Sequence, residues 1–208
     1  MREVDFQQGL ETLRRGEPLA YPTETFYGLG VDIRQEAALD KLFALKGRGA
    51  DRTVSVLVSG LEELKSLVVD LDDKILKIIN NFLPGPLTLV LPARAGLLPK
   101  LLSAGGYVGL RWSSDSLAQR LVRDFGAPIT TTSANLSGKP AATKAAELRD
   151  YFGDTDLAWL NGGDLPASKG STVVKVENES LKLIREGEIP FADLEKIFPP
   201  LKKGGRGI

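Results

Sequence analysis

Short apolar, β-prone runs alternate along this chain with segments whose apolar residues recur at helical spacing, and that alternation limits the fold more than any other feature. Helical stripes run through Phe6, Leu10 and Leu13, through Leu39, Leu42 and Phe43, through Ile75, Ile78, Ile79 and Phe82, and through Leu117, Leu121, Val122 and Phe125. Among them lie strand candidates at residues 19–23, 54–58, 87–91, 107–112, 128–132, 171–176 and 181–185. Interleaved elements of both kinds predict an α/β protein. The last two strands are separated only by "ENES", which predicts a hairpin and therefore a mixed sheet instead of a purely parallel one. No repeat or long linker interrupts the 208 residues. One domain is expected over residues 1–198, followed by a basic tail at 199–208 whose Lys202, Lys203 and Arg206 are read as solvated.

The residues that are missing restrict the chemistry. The chain has no cysteine and no histidine, which removes disulfides, thiol nucleophiles, thiolate–zinc sites, Ser-His-Asp triads and the HExxH motif together. An enzyme built this way must rely on positioning and electrostatics supplied by Lys, Arg, hydroxyls, backbone N–H groups or a hard metal on oxygen. Lys plus Arg and Asp plus Glu stand at 27 each, so any polyanion site must be a local basic patch. The amphipathic N-terminus lacks the apolar stretch of a signal peptide, and no run approaches the roughly 18 residues of a membrane span. A cytoplasmic protein is expected.

Six stretches carry polar groups beyond what turns need. "YPTETFYGLG" (21–30) places threonines on both sides of Glu24, and its glycines suit either a sharp turn or close approach to a ligand. "LKGRGADR" (45–52) sets Lys46, Arg48 and Arg52 among glycines after a helix; C-terminal capping explains Lys46 as well as an anion clamp does, and explains the arginines less well. Arg111 interrupts the apolar run "VGLRW", which demands either an exposed edge or an anionic partner. "TTTSANLSGKPAAT" (130–143) offers Ser133, Asn135, Ser137 and Thr143 between a strand and a helix expected to begin near Thr143, more hydroxyls than a cap requires. "KGSTVVKV" and "LIREGEI" add Ser171 and Arg185, each compatible with ordinary turn chemistry.

Taken in order, "YPTETFYGLG", "KGR", "LPGPLTLVLPA", "VGLRW", "TSANLSGKPAAT", "GSTVV" and "IREGEI" resemble the YrdC-like family, and within it the threonylcarbamoyl-AMP synthases, over about residues 3–190. The resemblance implies a single YrdC-like domain with a twisted mixed sheet, flanking helices and a concave basic groove. It implies a nucleotidyltransferase that joins L-threonine, bicarbonate or CO2, and ATP into threonylcarbamoyl-adenylate and pyrophosphate, with Mg²⁺ accompanying ATP and a separate transferase complex consuming the product on tRNA. Lys46 and Arg48 would be the catalytic pair facing the phosphates. Thr25, Arg111, Ser133 and Ser171 would bind threonine, with Thr23 nearby; Arg52, Asn135, Thr143 and Arg185 would join Lys46 and Arg48 on ATP.

Departures from the family pattern fall at Gly49 to Thr53, at Leu57 where some members place a histidine beside threonine, and at Tyr107 where some place a threonine. Two other readings stand beside the synthase. One is a non-catalytic relative whose groove binds double-stranded RNA or tRNA weakly; the other is the carbamoyl-adenylate module of hydrogenase maturation proteins.

Overall fold

A computed structural model describes residues 1–47 and 53–199. In chain order the elements are β1 (Arg2–Val4), α1 (Phe6–Arg14), β2 (Leu19–Tyr21), β3 (Gly28–Gly30), α2 (Glu36–Lys46), β4 (Ser55–Leu57), α3 (Leu61–Leu67), α4 (Asp73–Phe82), β5 (Leu87–Pro92), β6 (Leu102–Ser103), β7 (Tyr107–Arg111), α5 (Ser116–Phe125), β8 (Ile129–Ser133), α6 (Ala145–Phe152), β9 (Ala158–Leu160), β10 (Thr172–Glu177), β11 (Ser180–Arg185) and α7 (Phe191–Ile197). The calls on Arg48, Arg52 and the tail beyond Pro199 fall outside the described residues.

Local chemistry explains the helices. Asp5, Asp72 and Asp115 each accept a hydrogen bond from the backbone N–H three residues on, at 2.9, 2.7 and 2.8 Å, and so cap α1, α4 and α5. The apolar stripes predicted at Ile75, Ile78 and Ile79 and at Leu121 and Val122 are the buried faces of α4 and α5. Gly47, at φ 57°, ends α2 in the left-handed conformation and leaves Lys46 on its last turn.

The strands form one mixed sheet in the order β1-β9-β2-β3-β8-β4-β7-β5-β10-β11, with β6 on β7. β4 runs parallel to β7 and β5 parallel to β10, whereas β3–β8, β4–β8 and β5–β7 are antiparallel. The predicted β10–β11 hairpin is present: Glu177 pairs with Ser180 across a two-residue loop in which Asn178 and Glu179 have φ of 50° and 54°, the twist-matched turn such hairpins favour.

One predicted turn is a strand instead. Gly28 and Gly30 lie in β3 between β2 and β8, and their missing side chains leave room for the Tyr21 ring: a Cβ on Gly30 would sit 2.8 Å from that ring and 3.0 Å from Ile129. The Tyr21 hydroxyl, donating to the Thr130 carbonyl at 3.0 Å, is pushed upward in pKa mainly by burial.

The two sheet faces are covered differently, and this makes the cavity. Ala20, Leu29, Val56, Leu89, Leu110 and Val174 point into a large core shared with α2, α3, α4, α6 and α7. The opposite face buries Leu19, Tyr21, Leu57, Ile129 and Ala158 under α1 and α5. Register continues that second face from Leu57 to Arg111, Thr88, Val173 and Arg185, since directly paired residues share a side. There the sheet is bare, and the cavity lies over it.

Candidate active site

The cavity holds about 540 Å³ and is lined from β4, β5, β7, β8, β10 and β11, from residues 25–28, and from the loop after β8. Its lining includes Lys46, Arg111, Lys139, Lys169 and Arg185 and no carboxylate among the described residues. A chain of zero net charge thus gathers five cationic side chains around one hollow. Arg185 has its pKa lowered, first by burial and then by the nearby charge of Arg111. Two guanidiniums facing one space without an acid between them invite an anion.

At one end stands Arg111. β7 has β4 and β5 as neighbours, so Arg111 is not on an exposed edge, and the edge alternative is set aside. Its Nη2 donates to Thr25 Oγ1 at 2.6 Å and to Thr23 Oγ1 at 3.3 Å, and lies 3.0 Å from Glu24 Oε1. Thr23 organises that turn: its hydroxyl accepts from the Thr25 and Phe26 N–H groups, both at 3.2 Å, and donates to the Phe26 carbonyl at 2.7 Å. Across the sheet, Ser171 Oγ is 2.9 Å from Thr88 Oγ1, and Arg185 Nη2 donates to the Ser171 carbonyl at 2.8 Å and its hydroxyl at 3.2 Å.

At the other end the last turn of α2 meets the end of β8. The buried Lys46 ammonium donates to the Ser133 carbonyl, and to the Asn135 carbonyl and Oδ1, both at 3.0 Å. Ser133 Oγ donates to Asn135 Oδ1 at 2.7 Å, and Asn135 Nδ2 donates to the Lys139 carbonyl. Lys46 is therefore more than a helix-terminal cation: it ties α2 to the Ser-x-Asn segment.

The sequence-predicted residues sort clearly. Thr25, Lys46, Arg111, Ser133, Asn135, Ser171 and Arg185 share this one cavity. Thr143 is not in its lining: the Glu147 carboxylate accepts from the Thr143 N–H at 2.6 Å and hydroxyl at 3.2 Å, and from the Lys144 N–H at 3.1 Å, capping α6, which begins at Ala145. Leu57 packs in the core beneath α1 and α5, and Tyr107 lies at the far end of β7, its ring 3.7 Å from the Lys175 ammonium, so neither departure touches the cavity. Sequence reasoning missed Glu24 as the ion-pair partner of Arg111, Ser113 as the donor to Glu24, and Lys139 and Lys169 as lining cations. The bracketing of Glu24 by two threonines was the available signal.

Among the described residues no group of three or more His, Cys, Asp or Glu could hold a metal ion, and no helix is long and apolar enough to cross a membrane.

Fold and cavity together define a class: an α/β protein with a hollow over one face of its mixed sheet, lined by cations and hydroxyls. The family model Sua5_yciO_yrdC, described as "Telomere recombination", matches residues 11–187, and the chain belongs to that family. It is similar to the threonylcarbamoyl-AMP synthase of Pyrococcus abyssi, with 32% identity over 91% of this chain, and to that of Bacillus subtilis, with 33% identity over 93%. It spans 56% of each of those relatives, little more than half their length. The crystal structure of P. abyssi Sua5 complexed with L-threonine superposes with a TM-score of 0.87 at 29% identity, covering 95% of this chain and 59% of that one.

Proposed function

We propose that this chain is an L-threonylcarbamoyladenylate synthase, forming threonylcarbamoyl-AMP and pyrophosphate from L-threonine, bicarbonate or CO2, and ATP. The observation that carries the reading is the shared cavity, with Arg111 between Thr25 and Thr88 at one end and Lys46 with Ser133 and Asn135 at the other. The relatives named above act on this chemistry, and the complex of the P. abyssi protein with L-threonine supports an amino acid at one end.

In this reading the threonine carboxylate meets Arg111, with Thr25 and Ser171 beside it, and Ser133 faces the amino acid from the Lys46 end. The free amine adds to CO2, forming the N–C bond and releasing a proton, and gives a carbamate. A carbamate oxygen then attacks the α-phosphorus of ATP in line, the bond to the bridging oxygen breaks, and pyrophosphate leaves with its electron pair. Neither step demands a side-chain base of near-neutral pKa, which suits a chain without histidine. The nucleotide phosphates would face Arg185, Lys46, Arg48 and Arg52, with the Asn135 segment beside them. Mg²⁺ would arrive with the nucleotide substrate; among the described residues the lining offers it hydroxyls and carbonyls and no carboxylate, and it would supply charge neutralisation. A sheltered hollow also protects a carbamate that water would let revert. The product would pass to a separate threonylcarbamoyl transferase complex acting on tRNA.

The assay is pyrophosphate release from ATP in three parallel mixtures: L-threonine with bicarbonate, carbamoyl phosphate, and tRNA alone. Release in the first alone is expected; release only with carbamoyl phosphate, or RNA binding without any release, overturns the reading.

A further inference from the structure

Arg111 is nine-tenths buried, yet all its hydrogen bonds and its ion pair among the described residues pass through Nη2, and its Nε is buried without a partner. The acid on Nη2, Glu24, is anchored from behind. Its Oε1 lies 3.0 Å from Arg111 as an ion pair and makes no hydrogen bond among the described residues, while Oε2 accepts from the Ser113 hydroxyl. Ser113 is in turn held: its Oγ accepts from the Asp115 N–H at 3.2 Å and its carbonyl from Gln119 Nε2 at 2.8 Å, so the anchor is built on the start of α5. The Glu24 side chain is 15% exposed and is not part of the cavity lining, whereas Arg111 is.

An acid outside the cavity, clamped by a buried serine, is badly placed to be displaced by an incoming carboxylate. It is well placed to hold one nitrogen of the guanidinium while the side chain lines the cavity. We infer that Glu24 is a positioning residue: through Ser113 behind it and Thr23 and Thr25 beside it, Glu24 fixes Arg111 in the orientation that receives the substrate carboxylate. This rests on the proposed threonine site and deepens it. The neighbouring threonines share the work, because Thr25 touches the same Nη2 at 2.6 Å. The role rests on the Glu24 charge, because Oε1 pairs with the guanidinium at 3.0 Å without a hydrogen bond to it.

The test is calorimetric titration of the full chain with L-threonine and, in parallel, with L-threoninol, which keeps the amine and hydroxyls and lacks the carboxylate, alongside the KM for ATP. Glu24→Ala should weaken L-threonine roughly tenfold or more, the scale of truncating one partner of a desolvated charge pair. L-threoninol affinity and the KM for ATP should stay within about twofold, because neither uses the guanidinium edge. Glu24→Gln, which keeps the shape and loses the charge, should also weaken L-threonine, by about threefold or more. Should Glu24→Ala not fold, Ser113→Ala decides, with L-threonine weakened by about threefold or more. A folded Glu24→Ala chain that binds L-threonine as the unaltered chain does, or that loses all three ligands alike, overturns the inference. So does a Ser113→Ala chain of unchanged affinity. If the unaltered chain itself takes no L-threonine, the functional reading fails first and the inference falls with it; if it binds and the variants do not differ, only the role of Glu24 is lost.

Discussion

The Lys46 ammonium donates to both oxygens of Asn135, the carbonyl and Oδ1, at 3.0 Å each, across 89 residues of sequence. One side chain thereby locks the end of α2 to the loop that follows β8, and both belong to the cavity wall. Lys46→Met should abolish most turnover, on the order of 100-fold in kcat/KM, by removing a preorganised charge. It should also leave carbonyls of residues 133 and 135 without a donor, lowering stability by about 1–3 kcal/mol. Steady-state kinetics and thermal unfolding of the same variant read both effects; a variant with wild-type turnover removes Lys46 from the site.

Arg111→Lys keeps a charge but loses the rigid guanidinium plane whose Nη2 reaches both Thr25 and Glu24. The KM for L-threonine should rise by roughly 10- to 100-fold while the KM for ATP stays near its original value, a split expected when one substrate loses a binding contact. Equal increases for both substrates would mean that Arg111 serves the whole cavity and not its threonine end.

Glu147 has its pKa lowered, chiefly by the backbone N–H of Thr143, despite some opposing burial, and further by Lys144 and the Thr143 hydroxyl. A carboxylate with a depressed folded-state pKa stabilises the fold above its unfolded value and loses that contribution as pH falls through the folded one. Wild type should therefore melt above Glu147→Gln at neutral pH, with the gap closing in acid below the ordinary glutamate value. A gap that is unchanged across that range contradicts the cap.

Gly30→Ala places a methyl against the Tyr21 ring at 2.8 Å and Ile129 at 3.0 Å. Both neighbours are fully buried, so neither can swing aside into solvent. Chemical denaturation should report a loss of about 1–3 kcal/mol, the scale of overpacking a tight core, whereas Gly138→Ala meets no atom within 4 Å and is strained only by its φ of 83°.

Elements with their own side-chain period were legible in the sequence, and elements defined by their neighbours were not. The stripes of α4 and α5 and the β10–β11 hairpin are local patterns, and each stands where the sequence put it. β3, "GLG", has no side chain to signal a strand except Leu29; its conformation comes from the Tyr21 ring and the β8 pairing, over 100 residues away. The grouping of Thr25, Lys46, Arg111, Ser133, Asn135, Ser171 and Arg185 was readable only through family resemblance, because residue spacing cannot show that β5, β7, β10 and β11 align Thr88, Arg111, Val173 and Arg185 in one row. Thr143 is placed by local chemistry: its hydroxyl donates to the glutamate four residues on, at the start of α6.

The most direct measurement follows the carbon. With ATP, L-threonine and ¹³C-bicarbonate, mass spectrometry of the reaction should find an adenylate carrying one ¹³C and the threonine skeleton, formed in step with pyrophosphate. ATP consumed without a labelled threonine adduct, or a labelled adduct that lacks AMP, would contradict the account.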